Sequence, residues 1–76
     1  MSKLNKISGK ECVKILCNKF GFQVARQRGS HIVLKKETSD GKVGTVVPNH
    51  KELKLPTLRS VLKLAKVGED DFAKHQ

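Results

Sequence analysis

Three strand-like runs, Phe22 to Gln27, His31 to Glu37 and Val43 to Val47, follow one another with only a few residues between them. Connections that short join antiparallel neighbours, because a parallel return needs a dozen residues or more. Arg28-Gly29-Ser30 makes the first turn, and Thr38-Ser39-Asp40-Gly41 carries the Asp-Gly pair common in hairpins. The result is a three-stranded meander, which must bury one face against something else to be stable.

Helices on either side supply that cover. Ser8 and Glu11 form a capping box, in which each side chain can satisfy a backbone N–H at a helix start. The following helix spans about 9 to 20, with Val13, Leu16, Cys17 and Phe20 at the spacing of one buried face and Lys10, Lys14 and Asn18 elsewhere. Gly21 ends it in the left-handed position. Pro48 stops the third strand, residues 49–54 form a polar lysine-bearing loop, and Pro56 suits the first turn of a second helix. In that helix Leu58, Val61, Leu62 and Ala65 face inward, Arg59, Lys63 and Lys66 face out, and Gly68 closes it. Glu69 to Gln76 adds a short acidic turn or frays.

The chain therefore reads as one α+β domain over residues 1–76, with a core from about 8 to 68 and an acidic tail over 69–76. Its order is α-β-β-β-α, with both helices on one face of the sheet and the other face free. Strand alternation then places the side chains. If Ile32 and Leu34 enter the core, His31, Val33 and Lys35 face away from it. In the first strand the same rule groups Phe22, Val24 and Arg26 on one side, which makes a role for Arg26 less secure than for Arg28 or Lys35.

Charge narrows the range of partners. Residues 1–68 hold fifteen Lys and Arg against four acids, and the chain as a whole carries +9. Such a field draws polyanions and speeds their encounter, which favours nucleic acid over an acidic protein or a membrane surface. Cys12 and Cys17 lie five apart on one helix, do not stack as i, i+4 neighbours do, and read as small core or boundary residues. Free thiols and the lack of an apolar signal or spanning segment point to the cytoplasm, with no membrane partner.

Three histidines are the candidates for proton transfer at neutral pH. His31 follows a Gly-Ser turn between cations, where Arg26, Arg28 and Lys35 could neutralise phosphate and the Gly29-Ser30 backbone could approach an anion closely. It reads as a general base or acid, or as an ordinary hairpin-end histidine. His50 is either a second proton-transfer group or a solvated loop residue, and His75 lies in the tail. Lys51, Lys54, Arg59 and Lys63 surround the start of the second helix, as a phosphate-tracking stretch or as a solvated helix face. No C-x-x-C or H-x-x-x-H pair and no paired carboxylates suggest a metal, and no cofactor is implied.

Gly21-Phe22, Arg26-Gln27-Arg28-Gly29-Ser30-His31, Val46-Val47-Pro48-Asn49-His50 and Leu55-Pro56-Thr57-Leu58-Arg59-Ser60-Val61-Leu62-Lys63 occur in that order, and from about Ser8 to Gly68 the chain resembles the HicA toxins. The resemblance implies a fold similar to double-stranded-RNA-binding domains. It also implies a metal-independent endoribonuclease that cleaves mRNA through His31, and a HicB-type antitoxin that covers the active face. RNA-binding positions would be Arg26, Arg28, Gly29, Ser30, Lys35, His50, Lys51, Lys54 and Arg59. Pro56-Thr57 stands where many members have Gly-Thr, and both suit a helix start. A non-catalytic RNA-binding module of the same fold is the alternative, and self-association is left open.

Overall fold

The computed structural model describes residues 4–76. Its elements are α1 (Gly9–Phe20), β1 (Gln23–Arg28), β2 (His31–Thr38), β3 (Gly41–Pro48), α2 (Leu55–Ala65) and α3 (Glu69–Ala73). The three strands form one antiparallel sheet in the order β1-β2-β3. The α-β-β-β-α order and the α+β class read from the sequence are those of the structure, with a short third helix added.

The sheet's inner face carries Ile32, Leu34, Val47 and Thr45, all buried beneath the helices. Thr45 is the buried polar side chain among them, and its hydroxyl donates to the Val61 carbonyl of α2 at 2.8 Å. That bond satisfies the hydroxyl and fixes α2 above β3. The helices gather over β2 and β3, whereas every residue of β1 is exposed, Val24 at 53%.

α1 begins as the capping box predicts on its serine side, with the Glu11 N–H donating to Ser8 Oγ at 3.0 Å. Its fully buried stripe is Gly9, Cys12, Ile15 and Leu16, whereas Val13, Cys17 and Phe20 are half-buried. The face expected from spacing is thus turned by part of a revolution. Gly9 sets the rotation: its N–H donates to the His50 carbonyl at 2.8 Å, and it sits so close to the Pro48 carbonyl that a Cβ would overlap that oxygen. Pinned there, α1 must present the 9/12/16 stripe to the core. Gly21, at φ +77°, ends the helix as expected.

Gly68 does not close α2. The helix stops at Ala65, with Lys66 in the left-handed conformation (φ 57°, ψ 37°) and its N–H on the last carbonyls. Gly68 instead precedes α3 as its N-cap. The stretch after it neither frays nor stays apart: Phe72 is fully buried and stacks on Phe20 with centroids 6.2 Å apart. Leu4 also enters the core, and the Gln76 side chain exchanges two hydrogen bonds with the Asn5 backbone, at 2.8 and 2.6 Å.

Gly9→Ala is expected to destabilise the fold by about 1–3 kcal/mol, the usual cost of forcing extra volume into a packed contact. Urea unfolding measures it, and a midpoint equal to that of the unsubstituted chain would show that the α1–Pro48 approach is not needed.

Candidate functional site

The turn before His31 is built by one residue. Gly29 has φ +57° and Ser30 does not share a positive φ, which is the type II′ hairpin arrangement with glycine at the first central position. The turn is held from both sides. Gln27 Nε2 donates to the Gly29 carbonyl at 3.3 Å, and the Asn49 N–H donates to the Ser30 carbonyl. The loop leaving β3 is thereby docked on the turn that presents His31.

Strand register decides which side chains share the outer face. Residues directly opposite one another point to the same side. His31 stands between Arg28 and Pro48, Val33 between Arg26 and Val46, and Lys35 between Gln23 and Gly44. Ile32 and Leu34 are buried on the other side, so His31 faces away from the helices as its alternation predicts.

Arg26 corrects the sequence reading. Simple alternation groups it with Phe22 and Val24, but the ladder is irregular between Val24, opposite Leu34, and Arg26, opposite Val33. Ala25 is the extra residue of a β-bulge, and past it the alternation changes side. Counting back from the turn, Arg28 and Arg26 stay in phase with His31 and Val33; counting forward from buried Phe22, Val24 stays with the inner face. The bulge reconciles the two.

The outer face thus carries Arg26, Arg28, His31, Lys35 and Lys42, with Glu37 as the acid on the same face, opposite Lys42 at the far end from His31. All six are exposed. Among the described residues the ion pairs are Arg59–Glu69 at 3.4 Å and Asp71–Lys74 at 3.7 Å, so none of the outer-face cations is held in an ion pair there. Val33, half-buried, and Val46, 40% exposed, form an apolar patch beside Arg26.

The remaining expected residues lie off the sheet's outer face. His50 and Lys51 are exposed beside Ser8 and Lys10 at the start of α1, just beyond the His31 end of the sheet. Lys54 is the N-cap of α2 and is exposed. Arg59 lies in the helical layer, on the opposite side of the sheet, held by Glu69. His75 is exposed but meets the Phe20 ring edge-on at 5.6 Å. Sequence reasoning passed over Gly9 and Asn49. A glycine in the first turn of a helix, where it is a poor former, was the available signal for Gly9; Asn49 acts through its backbone N–H, which leaves no signature.

A family model of the HicA toxins of bacterial toxin–antitoxin systems matches residues 9–67, more than three quarters of the chain. The chain belongs to the HicA toxin family. No curated protein and no solved structure matches it. HicA toxins are known as mRNA-cleaving toxins, and membership implies an antitoxin partner. The match spans α1 to the end of α2, so the Phe72 helix that closes this HicA chain's core lies outside it.

Among the described residues no three His, Cys, Asp or Glu side chains gather as a metal site, and no helix is long and apolar enough to cross a membrane. Neither cysteine is activated. Burial pushes the Cys12 thiol up to about 12 and raises that of Cys17 as well. A thiol whose folded pKa lies above its unfolded one favours folding at low pH, and that contribution fades as pH climbs from the ordinary thiol value of 9.0 towards about 12. In native protein at about pH 8, below the ordinary thiol range, a thiol reagent is expected to modify half-buried Cys17 well before Cys12, as peptide mass mapping would show. Equal rates would contradict the buried position of Cys12.

Proposed function

We propose that this HicA chain is a metal-independent endoribonuclease that cleaves mRNA at the outer face of its sheet, with His31 as the general acid/base. What supports the reading above all is the company His31 keeps: Arg28 beside it, Arg26 brought to the same face by the bulge, and Lys35 along its own strand, none of them in an ion pair among the described residues. Ribose-directed cleavage requires such a set. The 2′-oxygen attacks phosphorus as its proton is taken by a base, the P–O5′ bond breaks, and the departing oxygen receives a proton. An imidazole does either proton transfer near neutral pH. The guanidinium and ammonium groups balance charge building on the phosphoryl oxygens.

The rest of the face suits the substrate. Gly29 has nothing within 4 Å of where a Cβ would project, so a strand of RNA can come close to the turn. Val33 and Val46 offer apolar surface to sugars and bases beside Arg26. The same face is where a HicB-type antitoxin presenting carboxylates would dock, blocking His31 by occupying the site of the polyanion. RNA binding is thus assigned first to Arg26, Arg28, Gly29, Ser30 and Lys35, next to His50 and Lys51 at the sheet end and Lys54 at the start of α2, and least to Arg59.

The test compares the natural chain with His31→Ala on single-stranded RNA in the presence of a chelator. The rate is expected to fall about 10²–10⁴-fold with RNA affinity retained. Binding without cleavage by either protein would leave an RNA-binding module of this fold. Cleavage that needs added Mg²⁺, or survives His31→Ala, would overturn the mechanism.

A further inference from the structure

Beyond the sheet end that carries His31, a cleft of about 380 Å³ opens between the start of α1 and the loop leaving β3, lined by Ser8, Lys10, Asn49, His50 and Lys51. We infer that this cleft holds a phosphodiester of the RNA strand that flanks the one cleaved at His31, so that the strand runs off the outer face, over the Gly29-Ser30 turn, and into it. The inference rests on the ribonuclease reading of the outer face and adds Ser8 and Lys10 at the start of α1 to the residues that meet the strand.

Three observations support it. The first is lining chemistry. Lys10 and Lys51 reach the cleft from two separate segments, Ser8 and Asn49 add polar groups, and no acid lines it, whereas the other clefts described each contain a glutamate: Glu37 in one, Glu69 in another, Glu11 in a third. An anion entering those meets a carboxylate; here it does not.

The second is continuity with the candidate site. The Asn49 N–H is bonded to the Ser30 carbonyl and Pro48 stands opposite His31, so the cleft wall and the imidazole are tied to the same two-residue turn. The third is rigidity across the cleft. The Gly9 N–H donates to the His50 carbonyl at 2.8 Å, joining the two walls by backbone rather than by mobile side chains. Neither lysine is spent on an ion pair among the described residues. A phosphate held there would set the register of the strand, which is what backbone contacts contribute in nucleic-acid recognition.

The experiment uses His31→Ala as the parent, so that RNA survives, and measures affinity for a single-stranded oligoribonucleotide as salt is raised. Removing one cation from a phosphate should reduce the slope of log affinity against log salt by about 0.7. Adding Lys10→Gln and Lys51→Gln is expected to reduce it by about 1.4 in total, while Lys14→Gln with Lys19→Gln, exposed on the remainder of α1, leaves it nearly unchanged. An unchanged slope in the first pair, or an equal drop in the second, would overturn the cleft while leaving the outer face standing. No RNA binding by the parent would overturn both.

Discussion

The two-residue turn at Gly29-Ser30 holds the site together. Its left-handed glycine sets the hairpin register, and register alone decides that Arg28 stands opposite His31 and Arg26 opposite Val33. The same turn accepts a hydrogen bond from Asn49, which brings the β3 exit loop against it. That loop in turn receives the Gly9 N–H of α1. One turn thus ties the strand edge, the exit loop and the first helix into a single corner of the molecule.

Opposite demands act on β1, and the bulge is how the chain meets both. Phe22 must be buried to close the core at the end of α1, and the turn at the other end must keep arginines beside His31. Between fixed ends, strict alternation would send Arg26 to the inner face with Val24, away from His31. One unpaired residue, Ala25, removes the conflict. It also disrupts an edge strand that the helices leave uncovered, a common protection against pairing with other chains.

The sequence was informative where local chemistry determines structure. The capping serine, the glycine ending α1, the turn glycine and the alternation of Ile32 and Leu34 against His31 all led to elements found in the structure, because each depends on near neighbours. What escaped it depends on residues distant along the chain. The rotation of α1 is decided by Gly9 meeting Pro48, on the far side of the whole meander, and α3 is held by Phe72 reaching Phe20. The bulge left no compositional mark, since alanine is ordinary in either phase. Membership of the HicA toxins was legible from spaced motifs, two of which, Arg26 to His31 and Val46 to His50, meet at the corner built by the turn, while Leu55 to Lys63 lies in α2.

If RNA meets the outer face of the sheet rather than the helical layer, amide chemical shifts of the His31→Ala protein, followed as single-stranded RNA is added, will map it there. The largest changes are then expected at Arg26, Arg28, Val33, Lys35 and Val46, with Arg59 and Lys63 little affected. Changes centred on Arg59 and Lys63, with β1 and β2 unmoved, would contradict it.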